Sequence, residues 1–417
     1  MKKFIIEGGN TLTGQIEISG DKNTAVALIP ASLLSSGTIN LENVPDISDV
    51  DVLSNILERL NCKIINNNGI FTIDSTNIKY NSIDKNQSVK LRASYYFMGA
   101  MLSRFKKVEI YFPGGCSIGK RPIDMHLNAF EKLGATIIEN DGKILIKAKE
   151  LIGTTIKQKF PSVGATINTI LVSTLAKGTT IIENAAKEPQ IKDLEEFLNK
   201  MGAKISGAGT DTITIEGVKC LNNCTHKVIP DRVEASTYLV LGVLIGKDLI
   251  INNLRIDHMT AIIDAMKKMK INFELGKGFI KISKSDNILP IDLVTDVYPG
   301  FITDIQQPFT LLLAKANGIS TLVETIWENR FMHIPYLNEM GCNIIVDDNK
   351  ITVYGPSSFK GKEVVATDLR GGVTMLVAGL IAKGTTKISE IEHILRGYEN
   401  IVEKLGNIGA NIKIINE

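Results

Sequence analysis

Cys116 lies in a stretch whose composition is typical of a reactive loop. Residues 111–122 read YFPGGCSIGKRP, with three glycines and two prolines. Glycine and proline in this density favour a turn at the surface, and glycine lets the backbone approach a ligand closely. Lys120 and Arg121 follow within five residues, and nearby positive charge favours the thiolate form of cysteine. The loop indicates a thiol that takes part in chemistry; the alternative is a surface loop with an incidental cysteine.

Two other segments place small polar residues at the expected start of an apolar helix. Lys22 and Asn23 follow Gly20. A lysine, an amide and the N–H groups of a helix N-terminus can together hold an anion. The turn at 162–164 is the corresponding segment of a later copy, with backbone and hydroxyl groups that could hold a polar ligand. Ordinary helix capping is the alternative for both segments.

Arginines recur at further strand–helix junctions, and one aspartate stands in a similar position. The planar guanidinium fork suits phosphate and carboxylate groups. Several such arginines, together with Lys22, indicate clamps on a strongly anionic ligand. Asp304 is in a loop with Pro299 and Gly300; such an aspartate is usually a turn residue, and it is also the acidic candidate for catalysis. The arginines are Arg92, Arg330, Arg370 and Arg396.

The elements that must position these residues recur six times along the chain. Each copy combines a strand that begins near a Lys-Gly-Thr-Thr sequence or a relative, an amphipathic helix that ends in Gly-Ala or a relative, and a further strand. The equivalent positions are 61, 134, 202, 270, 341 and 409. This period of about 70 residues is longer than that of the common solenoid repeats. It predicts compact units of several strands and two helices, arranged as two sets of three.

Two kinds of helix are predicted in these units. In residues 191–201 the apolar side chains fall on one face, which is typical of a helix that covers a core. Residues 165–176, 235–245 and 373–382 are apolar on nearly all sides, so these helices are predicted to lie inside a domain. The strands would then lie outside the helices, the inverse of the usual order in an α/β barrel.

Composition excludes several classes of protein. The chain has 417 residues, 44% hydrophobic and 22% charged, and a net charge of +2. This balance is that of a globular protein of two domains rather than a nucleic-acid binder. No apolar stretch approaches membrane-spanning length, and the N-terminus lacks a signal-peptide pattern, so a cytoplasmic location is expected. Five scattered cysteines suggest no disulfide framework, and Cys220, Cys224 and His226 match no common zinc spacing; no metal site is predicted.

Taken together, the motifs resemble the UDP-N-acetylglucosamine 1-carboxyvinyltransferase family of enolpyruvyl transferases, over essentially the whole chain. The resemblance implies an α/β fold of two inside-out α/β barrels, EPSP synthase-like, with six repeats of about 70 residues. It implies a first domain at 21–229, a second at 1–20 plus 230–417, and an active site in the cleft between them. The matching positions, in one order, are 113–116 with 119, 121, 122 and 124; 162–166; 183–186 with 188 and 189; 229–232; 328–333; 366–370; and 396–399.

The implied reaction moves the enolpyruvyl group of phosphoenolpyruvate to the 3′-hydroxyl of UDP-N-acetylglucosamine and releases phosphate, by addition followed by elimination. In this family it is the first committed step of peptidoglycan precursor synthesis. The resemblance makes Cys116 the acid that protonates the methylene carbon, and Cys116 can also form a covalent adduct with the substrate. Asp304 takes the proton of the sugar hydroxyl. Cofactors, metals and an obligate protein partner are not implied.

The resemblance also assigns the remaining site residues. The catalytic residues are Cys116, Asp304, Lys22 and Arg396. The residues expected at phosphoenolpyruvate are Lys22, Arg92, Arg121, Arg330, Arg370 and Arg396. The residues expected at the nucleotide sugar are Asn23, Arg92, Arg121, Pro122, Ile123, Asp124, Met125, Ser162, Val163, Gly164, Asp304 and Ile326.

Two competing interpretations remain open. The sister transferase that uses shikimate 3-phosphate shares the repeat and the anion clamps, but it lacks the Pro-Gly-Gly-Cys loop. A catalytically silent paralogue that binds the nucleotide sugar is the second alternative. The chain also departs from the family pattern at Asp21, where a small residue is usual, so that an acid stands beside the expected anion site.

Overall fold

The chain forms two compact units. The computed structural model describes residues 2–67, 69–85, 92–112 and 122–416, with only the backbone of Arg92 and Ala93. The first unit comprises the described residues from Gly20 to Ile229. The second unit comprises residues up to Ser19 and from Pro230 onward. Cys116, Lys120 and Arg121 lie outside the described residues, and the expected cleft between two domains stays a prediction.

Three inner helices form the centre of the first unit. They are buried on nearly every side, as their continuous apolar sequences predict. Three outer helices bury one face only. The inner helices are Lys22–Ala31, Tyr96–Phe105 and Val163–Ser173; the outer helices are Ser48–Arg59, Asp124–Lys132 and Pro189–Lys200; short 3₁₀ turns occur at Ser32–Leu34 and Arg92–Tyr95.

Three sheets cover these helices, and their strands alternate buried and more exposed side chains, so that one face of each sheet packs on the core. Two of the sheets pair one edge strand parallel and the others antiparallel. In spatial order the strands are Cys224–Lys227, Thr38–Glu42, Ile70–Asp74 and Lys63–Asn67; Lys107–Tyr111, Lys143–Lys147 and Thr136–Asn140; and Lys204–Ser206, Thr212–Glu216, Thr179–Glu183 and Thr155–Lys157.

The second unit repeats this arrangement. Its inner helices are Arg232–Ile245, Thr303–Lys315 and Leu369–Ile381. Its other helices are Ile256–His258 (3₁₀), Thr260–Lys268, Ile334–Glu339, Glu392–Leu395 and Ile401–Asn407. Its sheets are Glu363–Val365, Thr385–Ser389, Lys2–Glu7 and Asn411–Asn416; Phe273–Gly276, Phe279–Ile282, Leu249–Asn252 and Gln15–Glu17; and Asp292–Val294, Ile319–Val323, Lys350–Tyr354 and Ile344–Asp347.

The six-fold repeat is confirmed by the backbone at its six equivalent positions. Each of them has a positive φ just after a helix end: Asn61, Gly134, Gly202, Lys270, Gly341 and Gly409. Glycine adopts this left-handed conformation without a Cβ clash. The copies at Asn61 and Lys270 lack this glycine, which makes them less evident in the sequence than a copy such as that at Gly202. The α/β fold with helices inside and sheets outside is also confirmed; among the described residues, the six sheets are separate rather than joined into a closed barrel.

A buried ionic cluster joins three elements of the second unit. Glu234, on an inner helix, accepts a hydrogen bond from the Ser19 backbone N–H at 2.9 Å and from Lys404 Nζ at 2.7 Å. Lys404 Nζ also donates to Ser19 Oγ at 2.6 Å, and Ser19 Oγ donates in turn to Glu399. Because buried charges are costly unless paired, the cluster fixes the Ser19 segment against the Ile401–Asn407 helix.

The Glu234→Gln variant is expected to change how stability depends on pH. Burial raises the pKa of Glu234 to about 7, and Lys404 opposes this only in part. The unfolded glutamate titrates near 4.5, so between these values the folded state binds more protons. The free energy of unfolding therefore falls as the pH rises through this window. Glutamine cannot titrate. Between pH 4.5 and 8 the free energy of unfolding of the wild type should therefore fall by up to about 3 kcal/mol more than that of Glu234→Gln.

Urea unfolding at several pH values measures this difference. Glu403→Gln, at an exposed position one residue before Lys404, is the matched control. Parallel stability profiles for wild type and Glu234→Gln would contradict the prediction.

Candidate active site

Asp304 lies in the first turn of the inner helix Thr303–Lys315, directly after the loop that contains Pro299 and Gly300. A carboxylate is favoured there by the positive end of the helix dipole. Its side chain is 29% exposed, whereas those of its two arginine partners are 3% and 4% exposed. The carboxylate is therefore the part of this cluster that a ligand can reach from solvent.

Arg330 and Arg370 hold both oxygens of Asp304. Arg330 Nη2 donates to Oδ1 at 2.7 Å, and Arg370 Nε and Nη2 donate to Oδ2 at 3.3 and 3.2 Å. Burial works to lower the pKa of Arg370, but Asp304 and Tyr398 outweigh it and the net shift is upward. Arg370 therefore remains cationic, and the structure brings three of the predicted site residues together.

Asp368 is the second anion beside Arg330. Its Oδ1 lies 3.6 Å from Arg330 Nη1 and accepts the backbone N–H of Arg370 at 2.9 Å, which caps the inner helix Leu369–Ile381. Burial works to raise the pKa of Asp368, but Arg330 and hydrogen bonds from Gly371 and Gln307 outweigh it, so the pKa is lowered. Asp368 therefore balances the charge of Arg330, so that two carboxylates face two guanidinium groups.

Gln307 and His333 complete the support of Arg330. Gln307 Nε2 donates to Asp368 Oδ2 at 3.2 Å and to the Arg330 carbonyl at 3.2 Å, and it lies 3.4 Å from His333 Nδ1. Burial lowers the pKa of His333 to about 4, with Asp368 opposing the shift. His333 is therefore neutral near pH 7 and adds no charge to the cluster.

Glu324 links the segment of Ile326 to the helix of Asp304. Its Oε1 accepts the backbone N–H of Ile326 at 2.8 Å and of Trp327 at 3.1 Å, and its Oε2 accepts the Thr303 hydroxyl at 2.9 Å. The side chain is buried. Ile326 and Asp304 were predicted to act at one ligand, and Glu324 is the contact that relates them. Arg396 is half-buried and follows the short helix Glu392–Leu395.

In the first unit, Lys22 is held by a buried carboxylate. Its Nζ lies 2.7 Å from Asp49 Oδ2, and Asp49 is 2% exposed. Asn23, the next residue, is half-buried. Asp21 is the N-cap of the inner helix, where its Oδ1 accepts the Thr24 N–H at 2.5 Å. The unexpected acid beside Lys22 is therefore used in capping, which explains why the helix can start there.

The two segments predicted to hold the nucleotide sugar meet at His126. Ser162 caps the inner helix Val163–Ser173 by accepting the Ala165 N–H at 3.3 Å. A Cβ at Gly164 would lie 3.0 Å from His126 Cε1, a tight contact that would require the imidazole ring to shift by a few tenths of an ångström. His126 itself is fixed by Asn168 Nδ2, 2.9 Å from Nδ1.

The segment before His126 presents its side chains in different ways. Pro122 and Asp124 are exposed, Met125 is half-buried, and Ile123 is buried. Asp124 begins the outer helix Asp124–Lys132. Val163, in the other segment, is half-buried. The structure thus brings residues 122–125 and 162–164 together through His126, while the Arg92 side chain, Cys116 and Arg121 are outside what it describes.

Several residues that organise the site were not among those predicted from sequence: Asp49, Gln307, Glu324, Asp368 and Tyr398. Asp368 and Tyr398 lie in the matching segments 366–370 and 396–399, but neither was given a role from sequence.

The described residues contain no cluster of side chains suited to a metal ion. No group of three or more His, Cys, Asp or Glu side chains among them could hold one. His226, considered with Cys220 and Cys224, instead bonds to Asp193 at 3.1 Å through Nε2 and to Lys200 at 3.1 Å through Nδ1. No helix within the described ranges is long and apolar enough to cross a membrane.

Comparisons with known proteins agree on one family. The family model described as EPSP synthase (3-phosphoshikimate 1-carboxyvinyltransferase) matches residues 6–405. UDP-N-acetylglucosamine 1-carboxyvinyltransferase 2 of Geobacillus kaustophilus is 46% identical over 99% of this chain and 96% of its own length. The protein of the same name from Lactococcus lactis is 46% identical over the whole of both chains.

Solved structures give the same result at the level of the fold. The enolpyruvyl transferase NikO from Streptomyces tendae superposes with a TM-score of 0.91 over 100% of this chain and 99% of its own, at 26% identity. EPSP synthase from Acinetobacter baumannii superposes with a TM-score of 0.76 over the whole of both chains, at 19% identity, a likeness of fold.

Proposed function

Since the chain belongs to the EPSP synthase family of enolpyruvyl transferases, we propose that it transfers the enolpyruvyl group of phosphoenolpyruvate to the 3′-hydroxyl of UDP-N-acetylglucosamine, with release of phosphate. It is a transferase of peptidoglycan precursor synthesis. The observation that carries the acceptor is the 46% identity, over the whole of both chains, to a transferase named for UDP-N-acetylglucosamine. The family model bears the name of the shikimate enzyme, but a model covers all branches of a family.

The arrangement around Asp304 supports the chemistry. Addition requires a base for the sugar hydroxyl, an acid for the methylene carbon and cations for the phosphate and carboxylate. Asp304 is a reachable carboxylate between two buried arginines. In our proposal it takes the hydroxyl proton as the sugar oxygen bonds to the central carbon of phosphoenolpyruvate. In the elimination a base takes a proton from the methyl group, the C–O bond to phosphate breaks, and the double bond forms again.

The remaining roles follow the same logic. Cys116 gives the proton to the methylene carbon, and Lys22, Arg92, Arg121, Arg330, Arg370 and Arg396 meet the charge of phosphoenolpyruvate. Residues 122–125 and 162–164, with Asn23, Arg92, Arg121, Asp304 and Ile326, hold the nucleotide sugar; the contact of the two segments at His126 supports one common role for them. We also propose a cytoplasmic location and no obligate protein partner.

A phosphate-release assay with both substrates tests the reaction. Phosphate should appear only when phosphoenolpyruvate and UDP-N-acetylglucosamine are both present. Release with shikimate 3-phosphate in place of the nucleotide sugar would identify the sister activity. Binding of the nucleotide sugar without any release would identify a silent paralogue, and either result would refute the proposed function.

Fosfomycin, an epoxide phosphonate, is expected to alkylate Cys116. A thiolate opens an epoxide, and the phosphonate resembles the anion that the proposed clamps would bind. Intact-mass spectrometry should show one adduct on the wild-type protein and none on Cys116→Ser. Cys220→Ser, which removes an exposed cysteine, is the control and should keep the adduct. An adduct that persists in Cys116→Ser would remove the assignment.

A further inference from the structure

Arg370 contacts Asp304 through Nε and Nη2, and its Nη1 is held by a series of two hydroxyl groups. Its Nη1 donates to the Tyr398 hydroxyl oxygen at 3.3 Å, and that hydroxyl lies 2.8 Å from Thr237 Oγ1. Thr237 Oγ1 lies 3.1 Å from the Val233 carbonyl oxygen, one helical turn earlier. Tyr398 and Thr237 are both buried, so each of these contacts is shielded from water.

The direction of each hydrogen bond in the series from Arg370 through Tyr398 and Thr237 to Val233 is determined. A guanidinium group can only donate and a carbonyl can only accept. Thr237 therefore gives its proton to Val233, and Tyr398 gives its proton to Thr237. The tyrosine oxygen is left as an acceptor that points at Arg370. The Tyr398 ring adds to this, because Arg370 Cζ lies 5.7 Å from its centroid.

The number of donors on Arg370 shows what this arrangement leaves open. The guanidinium group has five N–H donors. Asp304 takes Nε and one N–H of Nη2, and Tyr398 takes one N–H of Nη1. Within the described ranges, no residue accepts from the second N–H of either Nη atom. One N–H of Nη1 and one N–H of Nη2 thus remain for an anion.

We propose that Tyr398, oriented by Thr237, is a positioning residue that keeps Arg370 directed at the anionic substrate. Asp304 alone could not do this, because a carboxylate that accepts a proton loses its hold on a guanidinium group. The tyrosine hydroxyl is neutral, so it holds Arg370 in place without neutralising the positive charge that the anionic substrate would meet. Burial raises the pKa of Tyr398 despite the opposing effect of Arg370, so the hydroxyl stays protonated near pH 7. The inference rests on the proposed function, in which Arg370 meets phosphoenolpyruvate.

Tyr398→Phe tests the proposal, because it removes the acceptor and keeps the ring. A hydrogen bond to a charged group is among the stronger ones, so the KM for phosphoenolpyruvate should rise about tenfold or more. The KM for UDP-N-acetylglucosamine should change less than about twofold. Thr237→Val, which keeps the side-chain shape, should shift the KM for phosphoenolpyruvate in the same direction by a smaller factor.

A double variant shows whether Thr237 acts through Tyr398. If it does, the KM for phosphoenolpyruvate of the double variant Tyr398→Phe/Thr237→Val should equal that of Tyr398→Phe alone. Both changes break the same series of hydrogen bonds, so their effects should not add. The matched control is Tyr238→Phe. Tyr238 is a buried tyrosine on the same helix as Thr237, and no described residue bonds to its hydroxyl. This variant should match the wild type in both KM values.

The outcomes separate this inference from the proposed function. A wild-type protein that releases no phosphate refutes the function. An active wild type with Tyr398→Phe within about twofold of its KM for phosphoenolpyruvate overturns the inference alone. So does Tyr398→Phe if it only lowers the melting temperature and leaves both KM values unchanged, since that result describes a purely structural hydroxyl.

Discussion

Asp304→Asn is expected to lower kcat by about 10²–10⁴-fold, the usual contribution of a general base. The dissociation constant for UDP-N-acetylglucosamine should stay within a few-fold of wild type. Asparagine keeps the shape of the side chain and one oxygen for Arg330, but it cannot take the proton of a hydroxyl. The change therefore removes the proton acceptor while it preserves most of the surface that a nucleotide sugar would meet.

The two arginines define where a sugar hydroxyl would meet Asp304. Oδ1 accepts from Arg330 and Oδ2 accepts from Arg370. A carboxylate has about four lone-pair sites, so a hydroxyl can donate to Asp304 beside these hydrogen bonds. In the proposed function Arg370 also meets phosphoenolpyruvate, so the residue that takes the proton is held by a residue that binds the other substrate.

Two measurements separate catalysis from binding. Calorimetry with UDP-N-acetylglucosamine gives the dissociation constant, and phosphate release gives kcat. Asp296→Asn is the matched control: Asp296 is an exposed aspartate in the loop before the same helix, where it accepts the Val297 N–H at 2.7 Å. It should keep wild-type turnover. Asp304→Ala should behave like Asp304→Asn; near-wild-type turnover in both would remove Asp304 from the base role.

The architecture could be predicted from sequence because each element carries its own local pattern. An inner helix such as Arg232–Ile245 is apolar on nearly all sides from residue 235 onward, and the helix end at Gly202 needs a left-handed residue. These signals repeat every 70 residues or so, and the repetition makes weak copies recognisable. At Asn61 and Lys270 the conformation persists without glycine, so these two copies lack one of the signals that mark the clearest copies.

The support of the site could not be predicted in the same way, because it depends on contacts between distant segments. Tyr398 meets Arg370 and Thr237, and Glu324 meets Thr303. The local sequence of Glu324 does not distinguish it from an ordinary turn residue, and the matching segment 396–399 does not show which residues Tyr398 contacts. Asp21 shows the opposite case, since the acid beside Lys22 has a local role: one of its oxygens caps its own helix.

Arg330→Met is expected to lower the free energy of unfolding of the second unit by about 3–5 kcal/mol, the usual cost of removing one partner of a buried ion pair. Arg330 lies 2.7 Å from Asp304 and 3.6 Å from Asp368. Methionine fills a similar volume, so the loss reports charge rather than a cavity. Without Arg330, Asp368 stays buried but loses the positive charge that contributes most to stabilising its ionised form.

The single tryptophan of the chain makes this loss measurable in one unit. Trp327 lies three residues before Arg330, so its fluorescence during denaturant unfolding reports on this unit. Arg255→Met is the matched control, because Arg255 and Asp257 form an exposed pair with 48% and 67% of their side chains accessible. A surface pair contributes about 0–1 kcal/mol, so a similar loss in both variants would contradict the prediction.

The pH dependence of the Arg330→Met penalty distinguishes an unpaired charge from a packing defect. In the wild type the lowered pKa of Asp368 gives stability that is present above the unfolded value of 3.8 and is lost as the pH falls through the folded value. In the variant, burial of Asp368 is less opposed, so its protonated form is favoured and the penalty should shrink between pH 7 and pH 4. Asp368→Asn in the Arg330→Met background should recover part of the stability at pH 7, because the amide carries no charge to leave unpaired. A penalty that is equal at both pH values and is not reduced by Asp368→Asn would instead mean that Arg330 stabilises the fold through its packing.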